Sequence, residues 1–250
     1  MKVFILTWCQ NENSFYGNSL IFKTIRTGFP NAEVIVCDNH SIGSASFKLE
    51  QLSKGQDCEF VRLESEITHA YFLERMTHNV SLENEQIIFL DPDVVFWDNC
   101  EDWEFNELMA GRLIPKFYDE FSGCVTHPRL HTSFLWIPDP MKMLREIHLL
   151  DKFEFQPFKP SMFYLEDGWN RFDTTSSFYS CFKDQVHTFT NNELDKYDHL
   201  FCGTHLDLVK DKLIDGQDLS ELHEKTKADI NVMKGIWVEQ EEHFKQRSVS

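Results

Sequence analysis

Apolar runs too short for helices alternate along this chain with stretches whose apolar residues recur every three or four positions. Val3 to Trp8, Glu33 to Asp38, Cys58 to Leu63 and Gln86 to Asp91 are rich in branched and aromatic residues, which predicts buried strands. Between them, Gly17 to Gly28 carries Leu20, Ile21, Thr24 and Ile25 at helical spacing, and Phe29-Pro30-Asn31 closes that helix. Glu66 to Val80 predicts a second helix, with Ile67, Ala70, Tyr71 and Met76 on one side. Strands alternating with helices imply right-handed crossovers and a mostly parallel sheet, a Rossmann-like α/β fold. Beyond Trp97 the pattern loosens. Leu108 to Phe117, Thr132 to Ile137 and Met162 to Leu165 read as strands, and a helix capped near Asp139 runs through Met143, Ile147 and Leu150. Met162 to Leu165 is expected to deliver Glu166 and Asp167 to a helix start, where the macrodipole favours negative charge. Leu219 to Phe244 repeats apolar residues at helical intervals over a charged back, predicting a C-terminal amphipathic helix.

The fourth strand carries the chemistry. It stops at Asp91-Pro92-Asp93, and a second apolar run, Val94 to Trp97, follows at once. Residues two apart on an extended chain point the same way, so both carboxylates aim at one spot. Pro92 cannot donate to a ladder and marks where the strand leaves the sheet interior. Two like charges at the end of an apolar strand are costly without something positive between them. A divalent cation with oxygen ligands fits, and a diphosphate is its usual co-ligand. Parallel sheets bind ligands beyond the carboxyl ends of their strands, where Thr7, Asp38 and Asp91 all fall.

Composition narrows the function classes. The 250 residues suit one large domain with elaborations, and 42% hydrophobic residues with 23 phenylalanines can fill its core. A net charge of −17 argues against an extensive nucleic-acid footprint. Seven cysteines without metal spacing read as reduced thiols. The apolar start, Met1 to Trp8, is too short for a signal peptide, and no stretch approaches the ~20 apolar residues of a membrane span. A cytoplasmic protein is expected.

Phe89-Leu90-Asp91-Pro92-Asp93 resembles the Asp-X-Asp motif of nucleotide-sugar glycosyltransferases with the GT-A fold, and Val34 to Ser41 resembles the strand-two segment of their family-two members. The resemblance implies a metal-dependent transferase moving a sugar from a nucleoside diphosphate donor, UDP-linked by preference, to a hydroxyl acceptor, with Mn²⁺ or Mg²⁺. Asp93 would grip the metal and Asp91 the ribose and the metal. Asp38 would recognise the base unless it only caps its turn, Thr7 would line the base slot, and Arg75 would assist from the flank. Asp167 would be the general base for the acceptor hydroxyl unless it is only a helix-start charge, since Glu166-Asp167-Gly168-Trp169-Asn170 matches neither family two nor family eight in full. His199 to His205 resembles the element that returns a late histidine to the metal. Either histidine could serve, and the Lys-Pro-Trp that follows the glycine in family eight is missing. His127, Arg129 and His131 are acceptor-pocket candidates. On this plan residues 1–100 bind the donor, 101–217 the acceptor, and 218–250 form the terminal helix. A nucleotidyltransferase is the alternative enzyme, although Gln10-Asn11-Glu12-Asn13 is no Gly-rich phosphate loop. A non-catalytic nucleotide-sugar-binding protein is the other.

Overall fold

The structure is a computed structural model that describes residues 1–10, 14–119, 123–150, 156–166 and 168–199. In chain order the elements are β1 (Lys2–Thr7), α1 (Ser14–Ser19), α2 (Ile25–Gly28), β2 (Glu33–Asp38), α3 (Gly43–Gly55), β3 (Glu59–Arg62), α4 (His69–Ser81), β4 (Ile87–Leu90) and β5 (Val94–Phe96). There follow β6 (Met109–Ile114), β7 (Phe117–Asp119), β8 (Cys124–Thr126), β9 (Arg129–Ile137), α5 (Pro140–Leu150), β10 (Ser161–Leu165), β11 (Gly168–Phe172), α6 (Ser176–Phe182), β12 (Val186–Thr188), α7 (Asn191–Leu194) and β13 (Tyr197–His199).

Seven strands form the central sheet, in the order β12-β6-β9-β4-β1-β2-β3. β1 pairs in parallel with β2 and β4, β2 with β3, and β12 with β6, while β9 runs antiparallel to both β4 and β6. The expected mostly parallel α/β sheet is therefore present, with one reversed strand. Burial on both faces explains the unbroken apolar runs of β1, β2 and β4. Alternate residues feed two cores: Val3, Ile5, Val34, Ile88 and Leu90 one, and Phe4, Ile35, Ile87 and Phe89 the other. The phenylalanines gather chiefly around Phe134, whose ring meets those of Phe29, Phe96, Trp103, Phe189 and Tyr197 at centroid distances of 4.9 to 6.0 Å.

The carboxyl edge of the sheet carries two further layers. β6 runs toward that edge and β9 starts from it, so the intervening β7 and β8 lie there. They join β10 and β11 in a four-stranded sheet of order β10-β11-β8-β7. β13 pairs antiparallel with β5 as a two-stranded ribbon.

Several sequence expectations need correction. The helix expected over Gly17 to Gly28 is broken into α1, a 3₁₀ turn at Leu20–Lys23, and α2. The segment is tied instead to the turn after β4 and to β5: Ile21 N donates to the Pro92 carbonyl at 3.0 Å, and the Thr24 side-chain Oγ1 accepts from Phe96 N at 3.0 Å. No apolar stripe marks α3 in the sequence, because its inward face is Ala45, Ser46, Leu49 and Ser53, too polar and small. Leu108 to Phe117 is divided between β6 and β7. The helix expected after Glu166 is absent: Gly168–Phe172 is a strand, paired antiparallel with Ser161–Leu165. That hairpin is also far from buried, with Met162, Phe163, Tyr164 and Trp169 about half or more exposed. Asp139 caps α5 as expected, accepting from Lys142 N at 2.8 Å. The terminal helix expected at 218–250 lies outside the described residues. Among the described residues, no helix is long and apolar enough to cross a membrane.

Gly28 is fixed by the packing under β5. A Cβ there would fall 2.4 Å from the Phe96 ring, whereas at Gly55 nothing lies within 4 Å. Gly28→Ala is expected to destabilise the fold by about 1–3 kcal/mol through overpacking, and Gly55→Ala by less than about 0.5 kcal/mol. Urea or thermal unfolding of the two variants checks this, and equal stabilities would contradict the packing described.

Candidate metal centre

The ladder of β4 ends with Asp91 N donating to the Ser133 carbonyl at 2.9 Å, and Val94 N then closes a turn onto the Asp91 carbonyl at 3.2 Å. Asp91-Pro92-Asp93 is thus a tight corner between two buried strands. The ribbon brings the third group in: β13 lies beside β5 with His199 opposite Val94. His199 Nε2 stands 3.2 Å from Asp93 Oδ1 and 3.9 Å from Asp91 Oδ2. One ligand atom from each of the three residues lies within 4.8 Å of the others. Asp93 and His199 are buried, while the Asp91 side chain keeps 28% of its surface open. One face of the cluster is therefore available to a ligand.

The electrostatics describe a site that wants a cation. Burial foremost raises the Asp91 pKa, His69 opposes it, the Asp93 charge adds to it, and His199 opposes it. Burial works to lower His199, but the hydrogen bond and charge of Asp93, with Asp91 behind, overcome it and hold the imidazole above its ordinary value. Behind them His131 packs its ring 4.9 Å from His199 and bonds Ser133 Oγ through Nδ1 at 2.7 Å. Burial, with repulsion from His199, pushes His131 down to about 3. Two carboxylates and an imidazole converging in a buried corner fit a divalent metal ion.

The other predicted residues are distributed unevenly. Thr7 and Asp38 lie side by side at the carboxyl ends of β1 and β2. Thr7 is fully buried, and neither its Oγ1 nor Trp8 Nε1 has a partner. The Asp38 carboxylate is enclosed, accepting from Ser46 Oγ at 2.6 Å and Ser41 N at 3.3 Å, as the turn-capping alternative requires. Arg75 is exposed on α4. Asp167 and His205 lie outside the described residues. Of the pocket candidates, His127 bonds Asn170 at 2.9 Å and stacks on Phe172, Arg129 pairs with Asp173 at 3.2 Å, and only His131 reaches the metal ligands. Sequence reasoning missed His69 and Arg112, which act on the cluster by charge. Each sits in an ordinary amphipathic stretch, and no local pattern marks either.

No family model and no curated protein matches the chain. Solved structures resemble it remotely. The bifunctional glycosyltransferase WbbM shares 12% identity at a TM-score of 0.47, over 76% of this chain and 38% of that one. A mannosyltransferase from Pyrobaculum calidifontis, solved with GDP-Man and Mn²⁺, shares 12% at 0.44, over 76% of this chain and 54% of that one. The galactosyltransferase LgtC, solved with donor and acceptor sugar analogs, shares 11% at 0.41, over 75% of this chain and 73% of that one. The chain spans about half or less of the first two. At this identity and with TM-scores below 0.5, the likeness carries nothing about activity or substrate.

Metal and proton compete for this corner. His199, with its pKa raised, contributes stability that is fully present below its ordinary 6.5 and is lost as pH rises through the raised value. Asp91, also raised, is penalised in the same direction as it ionises. The ion-free protein is therefore expected to lose stability as pH rises across neutrality, while Mn²⁺ affinity climbs by about tenfold per pH unit until His199 is deprotonated. Calorimetric titration of Mn²⁺ over that range, with His199→Ala losing both the affinity and its slope, checks this. A pH-independent affinity in the parent protein would contradict it.

Proposed function

We propose that this protein is a GT-A-type, metal-dependent glycosyltransferase that moves a sugar from a nucleoside diphosphate donor to a hydroxyl acceptor. The observation that carries the reading is the Asp91–Asp93–His199 cluster at the carboxyl edge of the central sheet. The chain winds outward through β1, β2 and β3, then returns to β4 on the other side of β1. Ligands of open α/β sheets bind at such a reversal of strand order, and the cluster stands there.

In this reading Asp93 and His199 hold the ion, and Asp91, the more open carboxylate, faces the ion and the donor ribose. A bound divalent ion supplies Lewis-acid charge for the departing diphosphate. An imidazole in the donor set favours Mn²⁺ over Mg²⁺, which prefers oxygen. Thr7 Oγ1 and Trp8 Nε1, enclosed and without a hydrogen-bond partner, stand beside the strand ends where this reading puts the nucleobase. Asp38, its carboxylate already engaged, holds the turn beside them. Asp167 takes the acceptor proton as general base. Burial pushes the thiols of Cys37 and Cys100 up to about 12, so both stay protonated at neutral pH.

A panel of UDP- and GDP-sugars with Mn²⁺, followed by release of the nucleoside diphosphate, tests the proposal. Release is expected with one donor, and Asp93→Asn is expected to lower it by about a hundredfold or more. Pyrophosphate exchange without sugar transfer would point to a nucleotidyltransferase, and tight donor binding without release to a non-catalytic binder.

A further inference from the structure

A divalent ion between Asp91 and Asp93 has its two charges matched by two carboxylates. A diphosphate arriving there meets a locally neutral site on a protein of net charge −17. Holding it calls for a further cation at the edge, and ion pairs to phosphate are among the stronger protein interactions when the donor is an arginine fork.

Two arginines are close enough to act on the histidines of the centre. Arg129 is mostly buried and pairs with Asp173 through Nη2, its Nη1 enclosed without a hydrogen-bond partner. Arg112 is exposed and makes no hydrogen bond or ion pair with any described residue. It occupies the one irregular place in the β6–β9 ladder. Gly111 pairs with Leu135 and Leu113 with Leu130, so Arg112 alone stands opposite the four residues His131 to Phe134. Such irregularities re-aim side chains and recur beside active sites. Arg112 follows Ala110 by two positions, which puts it on the core face of Phe134, the face that Tyr197 covers with its ring 4.9 Å from that of Phe134. Its charge accordingly reaches His131, Tyr197 and His199.

We infer that Arg112, standing at the break in the β6–β9 ladder on the face that carries Phe134 and Tyr197, is the cation that binds the diphosphate of the ligand alongside the metal. The assignment rests on the proposed donor class, and it gives this chain a diphosphate contact that its sequence motifs do not supply. Arg112 is a binding residue here, with no role in proton transfer.

Titration calorimetry tests it with Mn²⁺ alone, then with UDP, uridine and inorganic pyrophosphate at saturating Mn²⁺. The proteins are the parent chain, Arg112→Gln, Arg112→Lys and, as a control of equal charge change, Lys54→Gln. Lys54 is exposed and pairs with Glu50 one helical turn away. Arg112→Gln is expected to weaken UDP and pyrophosphate by about tenfold or more, with Arg112→Lys recovering part of the loss. Binding of Mn²⁺ should hold or tighten slightly, because a positive charge acting on His199 is removed; binding of uridine should not change, and Lys54→Gln should match the parent. UDP and pyrophosphate affinities in Arg112→Gln within about twofold of the Lys54→Gln control would overturn the assignment even if sugar-nucleotide turnover persists. So would an equal loss of uridine binding, or failure of the parent to bind either phosphate. If the parent turns over no sugar nucleotide yet binds pyrophosphate through Arg112, the transferase reading fails and the anion site stands.

Discussion

Two carboxylates held at one corner of a buried sheet repel each other, and most of the architecture around Asp91 and Asp93 bears on that repulsion. The corner is costly to build without a positive partner, because burial removes the water that would otherwise screen the charges. In the ion-free protein that partner is the proton on His199, retained against burial by the Asp93 carboxylate 3.2 Å away. A metal ion and that proton are alternative occupants of one role. The same reasoning explains why His131 is kept neutral behind His199: a second charged imidazole would undo the balance.

The corner keeps its shape because its backbone is pinned from several directions. Asp91 N is bonded to Ser133 of β9, the Pro92 carbonyl to Ile21, and Phe96 N to Thr24, while β13 lies along β5 and delivers His199. Beneath it, Phe29, Phe96, Phe134 and Tyr197 form a continuous aromatic floor. Side chains held by packing and backbone bonds need little rearrangement when a ligand arrives. The break in the β6–β9 ladder belongs to this arrangement, since His131 and Ser133 fall in the stretch of β9 that it leaves without a partner on β6 except Arg112.

The parts of the fold that announce themselves in sequence are those with one dominant signal. Unbroken apolar runs give β1, β2 and β4, and the carboxylates at the end of β4 give the metal corner. His199 was visible only through a family resemblance, since nothing local ties it to residue 93; its place comes from pairing between β5 and β13. What the sequence hides is governed by contacts distant along the chain. The apolar spacing of Leu20, Ile21 and Ile25 is that of a helix, yet bonds to Pro92 and Phe96 break it. α3 turns serines inward, and β10 is apolar while lying exposed, so in both the usual link between hydrophobicity and burial fails. Arg112 is invisible for a related reason, because its direction depends on a register shift that no single strand encodes.

The central claim is that Asp91, Asp93 and His199 together hold one divalent ion. Crystals grown with MnCl₂ and measured on both sides of the manganese absorption edge test it most directly. The account predicts one strong anomalous peak in contact with the Asp93 carboxylate and His199 Nε2, with Asp91 on its open side. A map in which manganese sits elsewhere, or in which the three side chains are ordered around no peak at saturating metal, would contradict it.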